Sequence, residues 1–271
     1  HPPLSAFFPE FFFQLFGNQD WAYYLLSQIF IVISFVAIFK LAKEFLQNES
    51  HALISVFLLE GIYFYNFTTP EFNVNICQIP FWTLTVYYSW QSFKNDKIYN
   101  WILFGLFAAL GFLSKYLFIY LLISILLFFI YYLKKDKKFN FKYFIPIVVF
   151  LLILTPHLIW LIENNYKTII YGLKRTGLEN STLLSHFIYP IIFIFKQIGI
   201  LLPFFILLGL ILKNFKFKIN QHDKKSIFLI FATFAPILLM LTTSLIFAAN
   251  IRTMWMTPFY LFFGLFFIYH F

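Results

Sequence analysis

The chain has 271 residues, 61% of them hydrophobic and 11% charged, with a formal charge of +9 and a mean hydropathy of +0.80. A water-soluble domain of this length cannot hide so much apolar surface, whereas a bilayer removes the need to hide it. One cysteine, Cys77, excludes an internal disulfide framework and leaves no cysteine-based metal or redox motif.

Apolar runs bounded by charge predict nine helices in chain order: residues 21–40, 52–65, 72–93, 101–114, 116–133, 143–162, 186–212, 227–248 and 254–271. Most reach the ~20 residues needed to cross ~30 Å of hydrocarbon, and 52–65 and 101–114 are short. The runs lack the period-2 alternation of strands and are too long for barrel strands. The expected fold is therefore all-α, a polytopic transmembrane helical bundle forming one membrane domain over 1–271. The loop at 163–185 is the longest on its side. In it Tyr166, Ile169, Ile170 and Leu173 follow helical spacing, with Lys167, Lys174 and Arg175 off that stripe. This predicts a short interfacial helix closed by Gly177, or else an ordinary connecting helix.

If the spans alternate, the basic residues sort into two sets. Lys40, Lys43, Lys94, Lys97, five lysines between 134 and 142 and five between 213 and 225 share one side, making fourteen of the 20. Lys115, Lys167, Lys174, Arg175 and Arg252 lie on the other, and Lys196 falls inside a span. The positive-inside rule makes the first set cytoplasmic. The charge is thus a topology signal, and no nucleic acid is needed to explain it.

The outer face gathers the residues with chemistry to offer. Lys115, in Ser114-Lys115-Tyr116, sits between two apolar helices, where a cation is costly unless it snorkels or meets an anion. A lipid phosphate is such an anion, and Arg175 and Arg252 can join it, because guanidinium grips phosphate oxygens in a fork. Each candidate also has a plainer reading. Glu71 after Thr69-Pro70 suits the N-terminal dipole of the third span. Arg175 and Arg252 suit the interface, His1 suits solvent, and His157 beside Pro156 suits packing.

His1-Pro2-Pro3-Leu4 with Phe16-Gly17, Thr69-Pro70-Glu71, then Trp101, Gly105, Gly111 and Leu113-Ser114-Lys115 resemble the first half of a known enzyme family. It comprises the membrane glycosyltransferases of the protein mannosyltransferase and aminoarabinose transferase type, glycosyltransferase family 39-like enzymes of the GT-C fold. The resemblance runs to about residue 133 and extends loosely to Trp255-Met256-Thr257-Pro258. It implies transfer of a hexose or pentose from a polyprenyl-phosphate-linked donor to a lipid, glycan or protein acceptor. The setting it implies is the outer face of a bacterial inner membrane. It places the principal catalytic carboxylate upstream of His1, so the segment by itself is expected to be inactive. Glu71 takes the place of a secondary acid, Lys115 that of a lysine meeting donor phosphate, and His1, Arg175 and Arg252 join them as substrate-binding candidates. No cofactor is called for, although a divalent cation is allowed. Phe72-Asn73-Val74-Asn75 departs from the aminoarabinose transferase pattern and leaves the sugar open.

A second class is a transporter or lipid flippase, favoured by midplane half-helices or an inverted repeat; Gly and Pro cluster at span ends instead. A third is a non-catalytic subunit of an envelope assembly.

Overall fold

The computed structural model describes residues 1–136, 139–177, 181–212, 216–220 and 222–271; Lys137, Lys138, Lys213 and loop residues 178–180 lie outside these. The described residues form helices and no strand. In order they are α1 (Leu4–Phe16), α2 (Asp20–Phe45), α3 (Glu49–Phe57), α4 (Tyr63–Asn66), α5 (Val74–Asn95), α6 (Ile98–Ser114) and α7 (Ile119–Asp136). There follow α8 (Ile145–Glu163), α9 (Lys167–Lys174), α10 (Ser185–Ile211), α11 (Lys224–Thr233), α12 (Ala235–Phe247) and α13 (Phe263–His270).

Local chemistry sets several of the ends. Asn48, Asn73 and Asp223 accept from backbone N–H groups of the helices they precede, satisfying donors that helix geometry leaves open. Asp20 in the first turn of α2 and Lys43 in its last both complement the helix dipole.

The fold is an all-α polytopic helical bundle. Asp20–Phe45, Tyr116–Lys135, Phe141–Glu163, Ser185–Ile211 and Lys224–Phe247 are long and apolar enough to cross a membrane, and α6 is a shorter apolar helix. The other expected segments differ in instructive ways. The run at 52–65 is broken into α3, a 3₁₀ turn Leu58–Gly61 and α4, because Ile62 takes an extended backbone. The run at 254–271 is a 3₁₀ stretch Thr253–Tyr260 followed by α13. Composition registers an apolar run but not a break inside it. Helix α5 is long enough at 22 residues but carries buried Gln78, Thr83, Thr85, Ser89 and Ser92. It packs between α2 and α6 and touches the 3₁₀ stretch near Trp255. Protein rather than lipid surrounds it, so it tolerates polar side chains that lipid would exclude.

The connections fall at two ends of the bundle. At the lysine-rich end Lys43 pairs with Glu49, Lys94 pairs with Glu44, and Lys142 reaches Asp96 at 2.8 Å. There too Lys225 Nζ donates to the Glu44 carbonyl at 2.6 Å. At the opposite end lie His1, the turn before α5, the α6–α7 junction, α9 and the segment before Trp255.

Candidate functional site

Lys115 occupies the break between α6 and the 3₁₀ turn Tyr116–Phe118 that leads into α7. It is only 4% exposed. Its Nζ donates to Asn75 Oδ1 at 2.5 Å and stands 5.8 Å from the Trp255 ring centroid. Asn75 is positioned by the helix start itself: Asn73 Oδ1 accepts from the N–H of Asn75 at 2.8 Å and of Ile76 at 3.3 Å. Beside this contact Cys77 Sγ donates to Ser114 Oγ at 3.4 Å, tying α5 to the end of α6. Three segments remote in sequence therefore meet at one ammonium group.

No ion pair answers that ammonium among the described residues, and the ion pairs there all lie at the lysine-rich end. Burial, followed by the positive charge of Arg175, lowers the Lys115 pKa to about 7. An amide oxygen and an indole face attract the cation without neutralising it.

Arg175 caps the C-terminus of α9. Its guanidinium donates to the Tyr171 hydroxyl at 3.2 Å and lies over the Tyr171 ring, 5.6 Å from the centroid. The His1 ring meets the same tyrosine edge-on, with centroids 5.9 Å apart. Helix α9 is anchored through Tyr116, whose hydroxyl lies 2.9 Å from His157 Nε2 and 2.6 Å from Thr168 Oγ1. His157 also stacks on Trp160. Past α9, the Thr176 carbonyl accepts from the Asn250 N–H at 2.9 Å, joining it to the strand of chain that carries Arg252.

Contacts join two of the five candidates, His1 and Arg175, which share Tyr171, and the charge of Arg175 is felt at Lys115. Glu71 is exposed, and its backbone carbonyl accepts from Asn73 Nδ2 at 3.1 Å. Arg252 is exposed at the start of the 3₁₀ stretch, and its carbonyl accepts from the Trp255 N–H at 2.9 Å. Among the described residues, neither side chain hydrogen-bonds or ion-pairs with the Lys115 group.

Sequence reasoning did not single out Asn75, Tyr171 or the Tyr116–Thr168 pair. Two signals were available. An Asn-x-Asn ahead of an apolar run is a helix start, and Tyr171 lies four residues before Arg175, hence on the same helical face. No group of three or more His, Cys, Asp or Glu able to hold a metal occurs among the described residues.

Residues 1–160, more than half of the chain, match the family described as dolichyl-phosphate-mannose-protein mannosyltransferase. The match includes His1, Glu71 and Lys115 and ends before Arg175 and Arg252. No curated protein and no solved structure matches the chain.

Proposed function

The chain belongs to the dolichyl-phosphate-mannose-protein mannosyltransferase family and is thus a membrane glycosyltransferase of the mannosyltransferase type; from that premise we propose that it takes its sugar from a polyprenyl-phosphate donor and passes it to an acceptor on the outer membrane face. The observation that carries this reading is the buried Lys115 ammonium, held by neutral partners with Arg175 as a second cation. Lys115 and Arg175 have no ion-paired carboxylate among the described residues and make a poor structural device, because an unpaired charge as deeply buried as that of Lys115 is strongly destabilising. They make a good receptor for a phosphate.

In the proposed reaction the bond between the anomeric carbon and the phosphate oxygen breaks as the acceptor oxygen attacks. The departing polyprenyl phosphate gains negative charge, which Lys115 and Arg175 stabilise. A carboxylate takes the acceptor proton. Glu71, in the exposed turn before α5, serves as a secondary acid at this end. The aromatic face of Tyr171 keeps His1 and Arg175 together as one wall.

The test is turnover of polyprenyl-phosphate-linked mannose by membranes carrying the full-length protein that contains this chain. Lys115→Ala is expected to lower turnover roughly ten- to a hundredfold at unchanged protein level, since a charge-assisted contact contributes ~1.5–3 kcal/mol. Lys115→Arg is expected to retain part of it. Wild-type turnover by Lys115→Ala would remove this residue from the site.

A further inference from the structure

Lys115 and Tyr116 are neighbours at the junction of α6 and α7, and they serve opposite sides of it. The backbone at Lys115 is extended, at φ -161° and ψ 132°, a conformation that turns consecutive side chains away from each other. Lys115 meets Asn75 and Trp255, whereas Tyr116 meets α8 and α9.

Helix α9 carries Arg175 at its end and is lightly held. It has no buried residue, and no side chain caps its start. From residue 167 to 175 only Thr168, Gly172 and Arg175 are half-buried, and the rest are exposed. Their spacing of four and then three residues puts them on one helical face, the one turned toward the bundle. Even that face packs loosely, because a Cβ on Gly172 would meet nothing within 4 Å. Apolar burial therefore does little to set the rotation of α9. Backbone bonds hold its two flanks: the Tyr166 N–H donates to the Leu161 carbonyl at 2.8 Å, and the Thr176 carbonyl accepts from Asn250. Neither selects the face that α9 turns inward. The bond from Thr168 to Tyr116 does.

The Tyr116 hydroxyl is suited to that task. It can donate once and accept once, so its contacts with His157 Nε2 at 2.9 Å and Thr168 Oγ1 at 2.6 Å use both capacities. His157 steadies the ring from the α8 side, stacked on Tyr116 with centroids 6.0 Å apart and on Trp160 at 5.8 Å. Thr168 is β-branched, so its hydroxyl has few directions to take. Arg175 follows Thr168 by seven residues, two helical turns or about 10 Å along the axis. A rotation of α9 about that axis would carry the guanidinium away from the bundle.

We propose that Tyr116 is a positioning residue of the donor site: by holding Thr168 it fixes the face of α9 and keeps Arg175 turned toward Lys115. This role rests on the donor reading, in which the two cations together stabilise the departing phosphate. Arg175 is near enough for that, since its charge adds to burial in lowering the Lys115 pKa.

The full-length protein that contains this chain is tested in two ways, by hydrogen–deuterium exchange in detergent and by turnover of polyprenyl-phosphate-linked mannose. Tyr116→Phe and the shape-conserving Thr168→Val each remove one hydroxyl. Both are expected to speed exchange of the α9 amides and to lower kcat/KM for the donor about three- to tenfold, the scale of one hydrogen bond. Thr168→Ser, which keeps the hydroxyl, is expected to retain most of both. The decisive arm repeats the two substitutions in an Arg175→Ala background. There they should cost less than about twofold in kcat/KM, because a residue acting through Arg175 has nothing left to position. Unchanged α9 exchange, or equal losses with and without Arg175, would overturn this role alone, provided that Lys115→Ala is impaired. Wild-type turnover by Lys115→Ala would instead overturn the donor reading, and this role with it. If Tyr116→Phe fails to fold, Thr168→Val at its half-buried position decides.

Discussion

Lys115 must be protonated to attract a phosphate, and its surroundings work against that. An ordinary lysine keeps its proton to ~10.4, whereas burial and Arg175 bring this one to about 7. The unfolded chain therefore binds more protons than the folded one between those values, and stability rises with pH across that window. Below about pH 7 both forms are protonated and the folded state carries the full penalty of a buried cation. Function runs the other way. As pH rises through about 7 the free enzyme loses the ammonium, so kcat/KM for the lipid-linked donor is expected to fall on that limb. Lys115→Arg, which keeps its charge, should move the limb out of range. A pH profile identical for lysine and arginine would show that another group sets it. Lys115 was legible in the sequence because a lysine between two apolar helices has few harmless explanations. Its acceptor Asn75 was not, since forty positions separate them and only the fold brings them to 2.5 Å. Glu71 was legible only through its place in a motif, and it lies exposed in a turn.

Helices separate what an apolar run records from what packing decides. Runs such as α2, α8 and α10 were readable from hydropathy because lipid, which surrounds much of their surface, selects for composition. The interruptions at 58–62 and before α13 were not, because they are set by partners elsewhere in the chain. Gly264 in α13 shows one such partner. A Cβ at this position would lie 1.8 Å from the Ser55 carbonyl oxygen of α3. Backbone cannot swing aside as a long side chain can, so α3 and α13 would have to separate. Gly264→Ala is expected to destabilise by about 1–3 kcal/mol, the range of core overpacking. Melting in detergent should fall by several degrees. Gly209→Ala on α10 is the matched control, with nothing within 4 Å of its Cβ and a helix residue gained in place of glycine. Equal melting of the two variants would mean that α3 and α13 do not cross this closely.

At the scale of the whole molecule, the sequence and the structure sort the loops by independent routes. Counting lysines puts the loops near 43, 94, 142 and 225 on one side. The structure joins the same loops physically, through Glu44 with Lys94 and Lys225, and Asp96 with Lys142. Surface ion pairs contribute only ~0–1 kcal/mol each, so they do not hold the bundle together. Their value is as evidence that these loops share one end, while His1, Lys115 and Arg175 share the other. The proposed orientation follows the positive-inside rule in taking the lysine-rich end as cytoplasmic. The proposed donor site depends on this orientation, because it is proposed for the outer face. Single cysteines can read it directly, because the native Cys77 is fully buried and contributes no background. Ser50, exposed at the start of α3, and Asn18, exposed between α1 and α2, are small polar positions at opposite ends. Ser50→Cys is expected to resist a membrane-impermeant maleimide applied to intact cells and to react once the membrane is opened. Asn18→Cys is expected to react in both conditions. The reverse pattern would place Lys115 in the cytoplasm, and the proposed outer-face donor site would have to be abandoned.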